Sequence, residues 1–205
     1  MYQLSMLDHA AYVGDELLDD VRRFDEFGRE TVEEVVDGIP YFINEFWTSG
    51  QRKSHSIHEV SYRACFKAQL PEFFIERLTK PGDVVHDPFM GRGTTPIQAA
   101  LMGRRALGND INPLSKLLTR PRLKPIALAE VQVALATVDW MAGEILRDDL
   151  YPFYHPGTLC GLESLKLWLA DRAPLGSDEP DRVADWVRMV AINRLSGHSS
   201  GFFSG

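Results

Sequence analysis

Cysteine is scarce in this chain: there are two in 205 residues, Cys65 and Cys160. They match no disulfide framework and no zinc-ligand spacing, so both are expected to be reduced and packed. No stretch approaches the ~18 consecutive apolar residues that a bilayer span requires, and no membrane partner is expected. The N-terminus, MYQLSMLDHAAYVGDELLDD, has neither the basic start nor the apolar core of a secretory signal. The expected compartment is the cytoplasm. The sequence also lacks a His-Glu-x-x-His arrangement, a Gly-Lys-Ser/Thr phosphate loop, internal repeats and low-complexity tracts. His55-Ser56-Ile57-His58-Glu59 comes nearest to a metal motif but offers no third ligand. It reads as a polar loop, with DNA contact as the functional alternative, and no metal site is expected.

What is present is the composition of an ordinary globular protein, 44% apolar and 25% charged. The net charge of −7 is unevenly spread. Residues 1–40 hold 11 acids and 3 bases, and the other 165 residues hold 18 acids and 19 bases. Acidity therefore belongs to an N-terminal arm, and a basic face can still exist on the body. Within the arm, Leu17, Leu18, Val21, Phe24, Val32, Val35 and Val36 recur at roughly helical spacing, with Gly28 as a break. One or two acidic helices are expected there, and a long loop from residue 41 to 61.

Further on, Leu70–Leu78 has helical spacing with Pro71 in its first turn, where a missing N–H costs nothing. Val84-Val85-His86-Asp87 reads as a short buried strand, 96–102 as a helix stopped by Gly103, and 105–111 as a second strand. Together they predict a parallel βαβ unit. Helices are expected over 127–148, 159–170 and 181–195. Six bases, Arg104, Arg105, Lys116, Arg120, Arg122 and Lys124, accompany Asp110 as the only acid between 104 and 124. This run reads as solvated surface, with phosphate contact as the functional alternative.

Between strand and helix lies Asp-Pro-Phe-Met-Gly-Arg-Gly-Thr-Thr, residues 87–95. Gly91 and Gly93 let a ligand approach the backbone, and the following helix N-terminus offers N–H groups to an anion. Thr94 and Thr95 are candidates to cap that helix. Asp110, at the end of the second strand, can accept both hydrogen bonds of a ribose diol. Asp87 opens the turn with a carboxylate, which would repel a pyrophosphate but can hold an ammonium group. That combination favours S-adenosylmethionine over a dinucleotide.

In these residues the chain resembles the amino-methyltransferases of DNA, which methylate adenine-N6 or cytosine-N4. The resemblance rests on Asp87-Pro88-Phe89, Gly91, Gly93, Thr94 and Thr95, then Asp110-Ile111-Asn112-Pro113, with Phe66, Leu70 and Pro71 as a looser match upstream. It implies a Rossmann-like α/β fold and S-adenosylmethionine as cofactor. By the same resemblance Asp87 binds the methionine moiety, the Gly91–Thr95 loop lies along the cofactor and Asp110 holds the ribose. The implied cofactor-binding set is Phe66, Asp87, Pro88, Phe89, Gly91, Gly93, Thr94, Thr95, Asp110 and Ile111. The implied organisation is an acidic helical arm at 1–40, a cofactor-binding βαβ core at 41–125 and a mainly helical segment at 126–205.

The second half of such an active site is missing. These enzymes need a polar residue followed by Pro-Pro and an aromatic, whose side chain and carbonyl accept hydrogen bonds from the target amine. The chain contains no Pro-Pro dipeptide. Asn112-Pro113-Leu114 lacks the aromatic, and Tyr151-Pro152-Phe153-Tyr154 lacks the polar residue and one proline. No catalytic residue is therefore assigned. The expectation is the N-terminal portion of a longer DNA methyltransferase, inactive alone. An RNA base methyltransferase and a non-catalytic protein that binds cofactor or DNA remain as alternatives. The last stretch, 193–205, is expected to be a substrate loop or a frayed end.

Overall fold

A computed structural model describes residues 14–47, 54–60, 62, 65–176 and 180–195. The tail reading at 193–205 lies outside the described residues from 196 onward. The fold is mixed α/β, and its contacts separate it into two units. Among the described residues, the first unit comprises 14–58, 65–88 and 94–109, and the second comprises 59–62, 89–93 and 110–195.

The first unit opens with helix α1 (14–22), followed by an antiparallel hairpin of β1 (Val32–Val36) and β2 (Ile39–Ile43). The expected second acidic helix is therefore a hairpin, and the expected loop starts with a strand. Asp37 (φ 51°) and Gly38 (φ 78°) both occupy the left-handed region that a tight hairpin turn demands. β-Branched Val32, Val35, Val36, Ile39 and Ile43 suit the pleated backbone on either side. The Arg22 guanidinium pairs with Glu33 and lies 5.3 Å from the centre of the Phe42 ring.

The segment after α1 is fixed by aromatic packing. Phe24 and Phe46 both meet the ring of Phe73, on helix α2 (Gln69–Leu78), at 5.7 and 5.6 Å. Arg77 of the same helix lies 3.8 Å from the Phe73 ring centre and pairs with Asp20. These contacts give the acidic segment an attachment that its charge alone would not.

Strand β3 (Val84–Asp87), helix α3 (Thr94–Leu101) and strand β4 (Arg105–Gly108) form the parallel unit foreseen from the sequence. Val84 stands opposite Arg105 and Asp87 opposite Gly108. α3 buries Ile97 and Ala99 completely or nearly so. Gln98 of α3 also binds the buried His58, whose Nε2 lies 3.0 Å from Oε1. The second histidine of the 55–59 stretch thus belongs to the interior and not to a polar loop. Arg104 bonds to the Met102 carbonyl and to both the hydroxyl and carbonyl of Thr79, so it is not a solvated member of a basic face.

The second unit is helical. Helix α4 (Pro113–Leu123) carries much of the basic run, and Lys116 on it is exposed as expected. Its start is written in the sequence: the Asn112 side chain accepts from the Leu114 N–H, and Pro113 occupies the first turn. Arg120 pairs with the buried Asp185 on helix α7 (Arg182–Leu195), and Arg122 is itself buried. The long helix expected over 127–148 is shorter: α5 runs only from Leu128 to Leu135. Beyond it the Thr137 hydroxyl bonds back to the Ala134 carbonyl, and the Asp139 carboxylate accepts from the Met141 N–H. Gly143 then packs against helix α6 (Pro156–Arg172), an approach too close for any side chain. Leu169, Ala173, Ala184 and Val187 form one core cluster, and Val60, Leu118 and Met189 form another. Cys160 is half-buried and bonds to the Gly143 carbonyl, whereas Cys65 is exposed and so is not packed as expected.

Candidate functional site

The turn after β3 is built by backbone geometry that only glycine tolerates well. Gly91 has φ 51° and Gly93 has φ 83°, and the Gly93 N–H closes the turn onto the Met90 carbonyl at 2.7 Å. The Gly91 N–H is also engaged, donating to Oδ2 of Asp110 at 2.7 Å. Gly91 therefore gives room for approach, but neither glycine N–H is a free donor to a ligand. Thr94 and Thr95 are the first residues of α3 itself, so the residue before the helix is Gly93 and neither threonine is its cap.

Asp110 sits two residues past the end of β4 and receives two backbone N–H groups. Gly91 binds one oxygen, and Asn112 binds the other at 2.8 Å. The Asn112 and Gly91 N–H groups hold its carboxyl below the usual aspartate value. The carboxylate is thus kept charged, and each oxygen retains a second lone-pair direction for a ligand hydroxyl. Asn112 also donates to the Tyr62 hydroxyl at 3.4 Å, and the edge of that ring flanks Gly91.

The underside of the turn rests on α4. A Cβ at Gly93 would lie 2.2 Å from the hydroxyl oxygen of Thr119, itself only 4% exposed. One turn later, Arg122 donates to the Arg92 carbonyl through Nη2 and to the Leu118 carbonyl through Nε at 2.8 Å. Burial, with the charge of Arg92 as a lesser cause, lowers the Arg122 pKa to about 10. The Arg92 side chain in turn donates to the Val60 carbonyl at 2.9 Å.

Of the residues singled out from the sequence, Gly91 and Asp110 are joined directly, and Gly93, Phe89 and Ile111 share their unit. Phe89 is 86% exposed and Ile111 fully so, apolar side chains held in solvent on either side of the Gly91–Asp110 tie along the chain. Phe66, Asp87, Pro88, Thr94 and Thr95 belong to the other unit. There Phe66 and Pro88 are exposed, Asp87 and Thr95 are half-buried and Thr94 is buried. Tyr62, Thr119 and Arg122 were not foreseen. Only the Asn112-Pro113 helix start could have revealed that α4 lies under the turn.

These residues suit an adenosyl group. A charged acceptor beside an open glycine turn fits a ribose diol, and an exposed apolar residue next to it fits an aromatic base. A parallel βαβ unit with a glycine turn after its first strand and a carboxylate after its second is the arrangement of nucleoside-cofactor-binding α/β proteins. Comparison with known proteins narrows that class. Residues 28–117 match the model of the family described as DNA methylase, of the N6/N4 type. Members of the family use S-adenosylmethionine as methyl donor.

Type II methyltransferase M.MjaII of Methanocaldococcus jannaschii is 37% identical over 81 residues, 40% of this chain and 15% of that protein. Type II methyltransferase M2.DpnII of Streptococcus pneumoniae is 42% identical over 102 residues, 48% of this chain and 36% of that protein. Type II methyltransferase M.MvaI of Kocuria varians is 31% identical over 119 residues, 57% of this chain and 24% of that protein. Matches to the curated relatives span between 15% and 36% of their length. No described helix is long and apolar enough to cross a membrane.

Proposed function

We propose that this chain is the cofactor-binding portion of a DNA methyltransferase that acts on the exocyclic amine of adenine or cytosine. The observation that carries the reading is Asp110, held charged by two backbone N–H groups and tied through one of them to the glycine turn. In this reading Asp110 accepts the ribose hydroxyls, Ile111 lies against the adenine, and Phe89 borders the site. Asp87 takes the ammonium group of the amino-acid end, and the Gly91–Thr95 segment runs along the cofactor. Phe66 and Pro88 complete the set. When bound, S-adenosylmethionine supplies a methyl group on a sulfonium, and its positive charge makes that carbon electrophilic.

The acceptor half of the chemistry is not supplied by these residues. An exocyclic base amine is a poor nucleophile because its lone pair is delocalised into the ring. Hydrogen-bond acceptors must localise that pair before proximity to a methyl is useful. With no Pro-Pro-aromatic segment in the sequence, the chain alone is expected to bind cofactor without transferring its methyl. Calorimetry with S-adenosylhomocysteine tests the binding. Asp110→Asn, which removes the charge and keeps the shape, should weaken it about tenfold or more, as expected for charge-assisted hydrogen bonds. A folded wild-type chain that fails to bind, or a variant that binds equally well, would refute the assignment. Tritiated S-adenosylmethionine with mixed-sequence DNA tests the chemistry, and label in the DNA would show that acceptor groups exist here after all. Tyr151–Tyr154 would then be examined first, although the Tyr154 hydroxyl is engaged with the Leu195 carbonyl.

A further inference from the structure

The direction of the Asp110 carboxylate is set by two peptides, Gly91 and Asn112, whose N–H groups it accepts at 2.7 and 2.8 Å. Both lie outside regular structure: Gly91 sits in the turn with φ 51°, and Asn112 precedes α4 with φ −81° and ψ 115°. Tyr62 touches both. Its ring carbon Cε1 lies 3.6 Å from where a Cβ on Gly91 would stand, and its hydroxyl accepts from Asn112 Nδ2 at 3.4 Å. We infer that Tyr62 is a positioning residue for the ribose grip, acting on Asp110 through Asn112 and Gly91. The role presupposes the adenosyl-cofactor reading above, and it falls to a residue 50 positions before Asn112.

The four residues close a ring of contacts within one unit: Tyr62 to Asn112, Asn112 to Asp110, Asp110 to Gly91, and Gly91 back to Tyr62. The Asn112 amide is oriented from both ends. Its Oδ1 accepts the Leu114 N–H at 3.0 Å, so Nδ2 faces the tyrosine and is the donor there. A bond of 3.4 Å is weak by itself, and its effect is to fix a direction. The Tyr62 ring has a firm seat for that purpose. With Leu114 it packs against Val60, Leu118 and Met189. That packing needs the ring and not the oxygen, so the hydroxyl separates a positioning role from a structural one. A carboxylate that tilts loses its hydrogen bonds to the ribose hydroxyls first, because they depend most on angle.

The test compares S-adenosylhomocysteine with the same molecule carrying 2′-deoxyribose, by calorimetry on the wild-type chain, Tyr62→Phe, Asn112→Ser and the double variant. The ratio of the two affinities reads the ribose grip alone. Phenylalanine keeps the ring on its apolar cluster, and serine keeps a helix-capping oxygen but is too short to reach the tyrosine. Each single variant should lower the ratio about threefold, and the double variant should lower it no further, because both changes remove the same bond. The melting temperature of Tyr62→Phe should stay within about 2 °C of wild type. An unchanged ratio in Tyr62→Phe, or an equal loss of both ligands, would show that Tyr62 only packs and would leave the cofactor reading standing. Fully additive losses in the double variant would break the link through Asn112 and overturn the inference. If the serine variant does not fold, Tyr62→Phe decides alone. A folded wild-type chain that binds neither ligand would overturn the cofactor reading, and the role of Tyr62 with it.

Discussion

Alanine at position 93 should be far more damaging than alanine at 91, although both glycines lie in the same turn with positive φ. The shared part of the cost is backbone strain, about 1–2 kcal/mol for placing a side chain in the left-handed region. At Gly91 that is nearly all: the nearest atom to an added Cβ is a ring carbon of Tyr62 at 3.6 Å, an ordinary contact. At Gly93 the Cβ would meet three atoms of Thr119 at 2.2, 2.6 and 2.9 Å. The last of these is the threonine Cβ, so rotating the side chain cannot relieve the clash. Thr119 is buried in α4, and overpacking of such a site adds about 1–3 kcal/mol. Gly93→Ala should therefore cost about 2–5 kcal/mol and Gly91→Ala about 1–2 kcal/mol. Thr119→Ala removes two of the three clashing atoms, so it should recover roughly 1 kcal/mol or more in the Gly93→Ala background and nothing in the Gly91→Ala background. Urea denaturation followed by tryptophan fluorescence reads all five variants. Equal losses at 91 and 93, or strict additivity of the 93 and 119 changes, would mean that α4 does not support the turn.

The remaining predictions concern other parts of the chain. Because the Asp110 pKa is depressed in the fold, its tie to the turn is complete above the ordinary value of 3.8 and is lost as pH falls through the lower folded value. The Gly91 amide shift, followed by NMR into acid, should titrate with a midpoint below 3.8, and a midpoint at or above 3.8 would contradict this. Gly143→Ala places a Cβ 2.4 Å from the Cys160 carbonyl oxygen and the Ser164 nitrogen, backbone atoms of α6 that cannot swing away. It should cost about 3 kcal/mol, roughly 6–12 °C in melting temperature for a protein of this size. Gly161→Ala, inside α6 and 4.0 Å from its nearest neighbour, should instead raise stability by roughly 0.5–1 kcal/mol.

How much of this was legible in the sequence depended on whether the deciding signal was local. The order and parallel pairing of the β3–turn–α3–β4 unit were read correctly because a valine pair, glycines at fixed offsets and a glycine stop are properties of neighbouring residues, but β3 was expected to be buried and none of its residues is, with Val84 49% exposed. The hairpin was missed because Val32, Val35 and Val36 fit a helical stripe as well as a strand, and only Asp37-Gly38 distinguishes them. The overlong helix at 127–148 failed for a tertiary reason. Its periodicity continues past Leu135, but Gly143 must lie flat against α6, and the chain turns away to place it. Arg105, Lys116 and Lys124 of the basic run are exposed as expected, but the other three were misread because charge was taken as evidence of solvent exposure. Arg104, Arg120 and Arg122 instead spend their guanidiniums on carbonyls, a hydroxyl and the buried Asp185.

The site divides along the same line, and the two glycines show why. A motif reader treats Gly91 and Gly93 as one signal, two places where a ligand can come close. In the structure only Gly91 has an open side, bordered by Tyr62 and next to the charged Asp110. Gly93 turns its bare face to Thr119, so its lack of a side chain serves the protein interior and not the ligand. The sequence pattern thus combines a recognition requirement and a packing requirement, and the packing partner lies 26 residues downstream in a helix that carries no motif of its own. Substitutions in α4 should therefore alter cofactor affinity through the turn, with Thr119 and Arg122 more sensitive than the exposed Lys116 on the same helix. Calorimetry on Lys116→Ala beside Thr119→Ala and Arg122→Met would decide it. A loss of affinity at Lys116 as large as at the buried pair would mean that the surface of α4, not its grip on the turn, governs binding.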